Sequence, residues 1–448
     1  MQASEGLRTA LNYMREMSVA EGRVYHQYVP VVTDTTTIGE FGQPILDASN
    51  LNVMNDFVGL LQKIVFQAVY NKTFNNPLAE LEGERLPLGQ FIENIMVAPA
   101  EARNFNVNDF AGLLQKYEAQ VAVEHLSVNS DLQYCVTLTR DKIRNAFTSW
   151  NALEELISGY INSLFNGAYV DMFQNTKALV TGAYKGNKVQ VVQVSDVTDE
   201  QTAKALIRQI RSTFGKMRFP STKFNAWSKM QKDGKALKVW SDAEDIVVMI
   251  SADLDAMVDV EVLAKAFNMD KTDFLGKLIV VDDFNIYNAD GSVAVDGSAI
   301  KCMIADRAWF KVKTQDFDMS DFFNPNNRCW NYYLNVVKMY NYSLFANAVV
   351  FATALPSVDA TDIDFTDDAP TAVVAGQKIY ARVVTEPVNA TSAITYSSSA
   401  TTYATVEPDA NDARIAVITG KEAGSATITA TCNGHTDTLA VTVSAPAE

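Results

Sequence analysis

The chain uses one amphipathic phrase twice. NDFVGLLQK, Asn55–Lys63, returns as NDFAGLLQK, Asn108–Lys116, with only Val58 exchanged for Ala111. In each copy an Asn or Asp at the start can accept hydrogen bonds from the free amides of a first helical turn. The apolar positions then share one helical face: Phe57, Leu60, Leu61 and Ile64, later Phe110, Leu113, Leu114 and Tyr117. Two copies are too few for a solenoid, which needs about three stacked units. Between them, FNNPLAELEGERLPLGQFIENI (Phe74–Ile95) is broken by Pro77, Gly83, Pro87 and Gly89, so an extended excursion is predicted there. A structureless stretch of roughly fifty residues is unusual in a compact domain unless it is functional or supported from outside the monomer. Residues 1–45 join a short amphipathic start to the Thr-rich VTDTTTIGEFGQP and predict an arm, not a core element.

Downstream, DLQYCVTLT alternates as a strand, and Thr139 or Asp141 can cap a helix over RDKIRNAF. From about 149 the positions Trp150, Leu153, Ile157, Ile161, Leu164, Phe165 and Ala168 keep helical spacing. Gly159 and Gly167 each weaken that helix by roughly 1 kcal/mol against Ala, so tertiary packing must support it. Some thirty residues at 1.5 Å each span on the order of 45 Å, the length of a spine. VQVVQVS, DIVVMI and KLIVVDDF then read as strands, with helices over DEQTAKALIRQIRSTFGKM and DVEVLAKAFNM and a hairpin over NADGSVAVDG. The first of these helices starts acidic and ends basic, which suits its dipole. KCMIADRAWFKVK and WNYYLNVVKMYNYSLFANAVVF close an α+β assembly. After Pro356 the pattern changes to short alternating strands between turn residues, which predicts a small β-sandwich over 371–448 behind an acidic linker at 356–370. The sandwich has no Trp and only Cys432, so it is not of the antibody type.

A chain of 448 residues has room for two or three domains. Its net charge of −16 disfavours tight nucleic-acid binding, which needs clustered Lys and Arg. The nearest basic candidate, Lys223 to Lys238 with Lys229, Lys232 and Lys235, reads as a solvated face. Residues 356–448 hold twelve acids and four bases, a net of −8, so half the net charge sits in the last fifth of the chain. Met1–Met17 has no apolar run of signal-peptide length, and no stretch is long and apolar enough to cross a bilayer. Cys135, Cys302, Cys329 and Cys432 are far apart, which points to a reducing compartment and no disulfide framework.

Chemistry is sparse. His26, His125 and His435 lie in different regions, and hydrolase, metalloprotease, P-loop and dinucleotide motifs are missing. The densest carboxylates are Asp253, Asp255, Asp259, Glu261, Asp270, Asp273, Asp282 and Asp283. A two-metal site would need them to converge; helix starts and turns account for them more simply. NADGSVAVDG lacks the bidentate Glu of a calcium loop. No catalytic, cofactor-binding or metal-binding residue is nominated, and the chain is not expected to be an enzyme.

Four segments carry a resemblance. FNNPLAELEGERLPLGQFIENI, AFTSWNALEELISGYINSLFNGAYVD, DVEVLAKAFNMDKTDFLG and WNYYLNVVKMYNYSLFANAVVF resemble, in this order over most of 45–355, the major head proteins of phi-29-type short-tailed phages. EPVNATSAITYSSS, YATVEP and GSATITATCNG resemble bacterial Ig-like group 2 domains. Residues 1–45, 177–240 and 285–299 match poorly. The resemblance implies the Hong Kong-97 capsid fold over 1–355: an N-terminal arm at 1–45, an extended loop within 62–125, a spine helix at 149–178 and an axial domain at 190–320. The two NDF helices would be the feet of the loop. It also implies many copies assembling as hexamers and pentamers into an icosahedral or prolate head. That head would enclose double-stranded DNA without sequence-specific contacts. A scaffolding protein and a portal would be partners. Assembly would take place in the host cytoplasm, and the Ig-like domain would decorate the exterior and contact the host surface. The competing function classes are a cell-surface adhesin or carbohydrate-binding protein with an Ig-like module, against which the missing signal peptide counts, and a hydrolase resting on the Asp cluster.

Overall fold

The N-terminal residues form helices that enter a core. In the computed structural model, which describes residues 3–47, 51–68, 74–87, 89, 91–100, 102, 116, 118–230, 236–257, 278–288 and 290–445, the predicted arm is replaced by the helices Glu5–Ala20, Tyr25–Tyr28 and Ile38–Leu46. The Ser4 hydroxyl accepts from the Leu7 amide, and Thr37 and Glu40 form a reciprocal capping box. Leu7, Leu11 and Met14 recur at helical spacing and are buried, as are Tyr25, Phe41 and Ile45. The physical reason for the correction is that this apolar stripe finds a partner within the chain.

That partner is the first NDF segment. It lies inside the helix Leu51–Ala68 and not at its start. Asp56 is therefore not an N-cap for its own helix. Its Oδ2 accepts from the Val24 and Tyr25 amides at 2.8 and 3.2 Å, at the start of the short helix Tyr25–Tyr28. Phe57, Val58, Leu60 and Leu61 are buried. The Phe57 ring lies 6.3 Å from Phe41 and 5.6 Å from Phe147. The second copy, Asn108–Lys116, lies outside the described residues apart from Lys116.

These helices belong to a unit made of residues 1–92, 125–176 and 311–341. Its sheet runs Phe310–Asn324, Cys329–Tyr342, Ser130–Thr139, and the last two strands are antiparallel from Cys329 opposite Thr139 to Lys338 opposite Ser130. Trp330, Tyr332, Leu334 and Val336 alternate along one strand and face the helical core. The Tyr332 hydroxyl donates to the Val58 carbonyl at 2.9 Å. The Pro- and Gly-broken excursion turns through the short 3-10 helix Ala79–Leu81, after which residues 82–87 follow the edge of the Phe310–Asn324 strand. The Gly83 amide donates to the Val312 carbonyl and the Leu86 amide to Thr314. Lys338, almost wholly buried, reaches the Glu82 carboxylate at 2.9 Å. Burial holds its ammonium below the ordinary lysine value, while Glu82 pulls it back up.

The long helix is Trp150–Lys185, 36 residues, or roughly 54 Å of axis. Trp150, Leu153, Leu164, Phe165 and Ala168 are buried, and Ile157 is half-buried. Gly167 has a packing reason: a Cβ there would lie 3.3 Å from the Tyr134 ring. Tyr134 in turn donates to Asp171 at 2.7 Å.

A second unit holds residues 93–124, 177–310 and 342–448. Its five-stranded sheet runs Gln190–Gln193, Ala348–Ala352, Ile300–Asp306, Ile246–Ser251, Leu278–Val281. The outer pairs are parallel and the central strand is antiparallel to both neighbours. Helix Glu200–Met217, capped by Asp199, buries Leu206, Ile207, Ile210 and Phe214 against Val248, Ile304 and Phe351. The predicted axial segment 190–320 needs correction at its end. Residues 311–320 belong to the first unit, and the sheet takes its second strand from Ala348–Ala352, beyond that segment. The helix predicted over Asp259–Met269 lies outside the described residues. NADGSVAVDG does form a hairpin, Ile286–Tyr287 against Val293–Val295.

The sandwich has two four-stranded sheets: Asp362–Phe365, Lys378–Glu386, Ile415–Gly420, Ala404–Pro408, and Ala372–Val374, His435–Ser444, Gly424–Cys432, Ile394–Ser398. Ala381, Ala404, Ala416, Ile418, Ile428 and Val441 fill its core. Ala426, Ile428 and Ala430 point inward, as their alternation predicts. The linker assigned to 356–370 is corrected by its own strand. Asp362–Phe365 pairs with Lys378–Glu386 and buries Ile363 completely. In this acidic segment every second residue can face water, so one buried Ile suffices to recruit it into the sheet.

Candidate assembly surface

Residues 62–125 were expected to hold an extended loop, and a large part of that stretch lies outside the described residues. Ile92–Val97 and Val121–Leu126 form a two-stranded ribbon. Strict alternation gives the ribbon two unlike faces. On one, Ala122 packs with Leu237 and Phe345, flanked by Met96, Ala98 and Trp227. Buried Glu124 pins this face: it accepts from Asn94 Nδ2 at 2.7 Å, the Leu344 amide at 2.9 Å and the Ser343 hydroxyl. Charge-assisted bonds of this kind are the strong ones. The opposite face presents Ile95 (61% exposed), Val97, Val121 and Val123 to solvent, with exposed Phe91 just ahead of it. Exposed contiguous apolar surface on a β-ribbon marks a contact awaiting a partner.

The structure disperses the other sequence candidates. Asp253 and Asp255 sit in the first turn of Ala252–Met257, as helix-start acids. Asp259, Glu261, Asp270 and Asp273 lie outside the described residues. Asp282 and Asp283 do something the sequence reading missed. They hold the fully buried Lys177 ammonium, at 2.8 and 3.3 Å, beside the Tyr287 ring. Partial burial opposes the Asp283 charge, but Tyr287, the Asn285 amide and Lys177 together keep its carboxyl below the usual range. Among the described residues no group of three or more His, Cys, Asp or Glu could hold a metal ion. His26 lies 3.1 Å from the Ser18 hydroxyl, while His125 and His435 are exposed. All four cysteines are free thiols.

The basic candidate at 223–238 also changes character. Lys232 and Lys235 lie outside the described residues. Lys229 is no solvated charge: it donates to Asn187 Oδ1 and, at 3.3 Å, to the Val189 carbonyl. Next to it the sandwich meets the rest of its unit. Asn187 donates to the Asn389 carbonyl at 2.8 Å, Asn389 donates to Gly186, and Arg414 reaches the Lys229 carbonyl at 3.4 Å. Burial, with the Arg414 guanidinium, pushes the Lys229 ammonium down to about 8. Arg414 itself is paired with Asp412 at 3.0 Å. A folded-state value below the unfolded one means that only the unfolded chain stays protonated between the two values. Stability should therefore rise with pH from about 8 toward about 10. In Lys229→Met this component should vanish from denaturation midpoints measured across that window; an unchanged slope would sink it.

Lys223 and Lys238 are exposed, as expected, and further exposed basic residues lie ahead of that stretch. Lys204, Arg208 and Arg211 share the outer face of Glu200–Met217, and Lys216, Arg218 and Lys223 are exposed after them. The sequence signal was helical spacing, which spreads one stripe over many positions.

Comparison with known proteins fits this architecture. A chain in the capsid structure of Staphylococcus phage Andhra matches with a TM-score of 0.52 at 17% identity, covering 64% of this chain and 86% of that one. A chain in the structure of the head fiber and inner core protein of native bacteriophage P68 gives 0.51 at 15%, with 64% and 86% covered. The fold is thus that of a phage shell protein of the Hong Kong-97 type. The family described as Phi29-like phage major capsid protein matches residues 11–352, and the bacterial Ig-like domain (group 2) matches 359–443. The major capsid protein of Bacillus phage B103 is 31% identical over 332 residues, covering 73% of this chain and 70% of its own. That of Bacillus phage PZA is 29% identical over 362 residues, covering 80% and 76%. The chain belongs to the Phi29-like phage major capsid proteins and is a component of the virion.

Proposed function

We propose that the outer face of the ribbon is the contact through which each copy seats its extended loop on a neighbour, so that copies close as hexamers and pentamers into a head around double-stranded DNA. The observation that carries this is the exposed row Ile95, Val97, Val121, Val123 on a ribbon whose other face is pinned by Glu124. A monomer gains nothing from such a face, whereas burial gives roughly 25 cal/mol per Å² of apolar surface. An acidic chain, net −16, suits loose containment of DNA, since phosphate binding needs clustered cations. A scaffolding protein and a portal would guide closure. The Ig-like domain, which with the acidic segment ahead of it gives residues 356–448 a net of −8, would face outward, away from the packaged polyanion, where it can meet the host surface.

The test is particle formation by the full chain in cells carrying the phage's other head genes, followed by electron microscopy and antibody access to the Ig-like domain. Ile95→Asp/Val121→Asp should leave the far-UV circular dichroism unchanged and abolish particles, because two buried charges would be left unpaired at each contact. Wild-type chain that stays monomeric in all conditions would end the shell reading; particles from the double variant would move the contact elsewhere.

A further inference from the structure

The axial part of the second unit is polarised in charge. Residues 201–240 hold ten Lys or Arg and one Asp, a net of +9, whereas 241–300 hold thirteen Asp or Glu and three Lys, a net of −10. Folding displays this imbalance. Ala203, Leu206, Ile207 and Ile210 turn into the sheet, which leaves Lys204, Arg208 and Arg211 outside on Glu200–Met217. Arg208, Arg211, Lys216, Arg218 and Lys223 make no ion pair among the described residues. Two large aromatics flank the end of this face. Phe219 is 69% and Trp240 51% exposed, near the point where the Ser221 and Val239 backbones exchange hydrogen bonds at 3.0 Å. The acidic half exposes Asp242, Glu244, Asp245, Asp253, Asp290 and Asp296.

Five cations on one short stretch, unpaired among the described residues, repel one another and raise the energy of the isolated chain. Aromatic anchors beside a charged rim are the make-up of a protein–protein contact. We propose that this basic, aromatic-flanked face docks on the acidic half of the same domain in a second copy. The proposal rests on the shell reading above. The occupant follows from charge complementarity: every copy carries both signs in nearly equal amount. DNA would use the positive half alone and meet the −10 half as a repellent. A contact between two unlike surfaces is heterologous and closes into a ring when its rotation allows. The acidic half then steers each incoming copy and rejects the reversed orientation, since like charges would meet.

The experiment uses full-length Arg208→Glu/Arg211→Glu, made with the other head genes. Both sites are exposed and Glu is a good helix former, so circular dichroism and melting should match wild type; Arg208→Gln/Arg211→Gln guards against a folding artefact and should shift yield in the same direction. Wild-type particle yield should fall as NaCl rises, because salt screens the contact. The Glu variant should give on the order of tenfold fewer particles at low salt. Mixing it with Glu244→Lys/Asp253→Lys should restore the yield that each variant loses alone. Four results overturn the proposal: a Glu variant that assembles like wild type at every salt concentration, a Gln variant with unchanged yield, mixed variants without rescue, or normal particles that lose only their hold on DNA fragments. If wild type itself never assembles, the shell reading falls first and this contact with it.

Discussion

Phe57→Ala is expected to destabilise the first unit by about 3–5 kcal/mol, the usual loss when a buried Phe is truncated without collapse of its surroundings. The ring has no room to be replaced. It is fully buried and lies within 6.3 Å of Tyr25, Phe41 and Phe147, on three different helical segments. Removing it opens a void where four segments meet. Val58→Ala, the exchange that distinguishes the two NDF phrases, should cost well under half as much. It removes less volume and leaves the Tyr332 bond to the residue 58 carbonyl in place. Trp150, 5.4 Å from Phe41, is a reporter inside the same cluster. Its fluorescence in a urea titration should give a midpoint shift of several-fold larger size for Phe57→Ala. Equal midpoints would return residues 1–45 to the status of an arm.

The second large effect concerns Glu82. Glu82→Ala should cost about 3 kcal/mol, the low end for stranding a buried charge, because Glu82 keeps some contact with water while Lys338 has almost none. The loss has two parts. Lys338 is left without its anion, and the excursion loses one of its side-chain ties to the Phe310–Asn324 strand, the bond the Thr314 hydroxyl donates to Glu82, while Arg85 still holds Asp316. Glu82→Gln/Lys338→Met should recover most of that loss, since replacing both members of a buried pair is often close to neutral. A double variant as unstable as Glu82→Ala would show that charge burial is not the cause. Proteolysis within 74–87 offers an independent readout, because cutting requires the excursion to leave its edge.

Much of the fold was legible because its signals are local. The long helix follows from spacing that survives two glycines, and the sandwich from inward Ala426, Ile428 and Ala430. What escaped was set by distant partners. Nothing near Asp56 says that it caps another helix thirty residues earlier in the chain. Nothing in Asp282 and Asp283 says that Lys177, a hundred positions away, needs both. Leu7, Leu11 and Met14 were visible as a stripe, yet a stripe does not reveal whether its cover lies in the same chain or in a neighbour. The assembly surface was legible only as an excursion too long to be idle. Its two-faced ribbon depends on Glu124 finding Asn94, 30 positions away, and Ser343 and Leu344, 219 and 220 positions away.

The same ribbon has a consequence for supply. Each of its strands has one open edge and pairs only with the other among the described residues. A newly made subunit therefore presents strand edges beside an apolar row, a template for pairing with any exposed strand. Growing shells and amorphous aggregates draw on the same pool of subunits. The outcome depends on how quickly subunits are consumed relative to how quickly they are made. Synthesis ahead of shell growth should fill the cell with insoluble protein, and slower expression at lower temperature should recover soluble chain without any change in sequence.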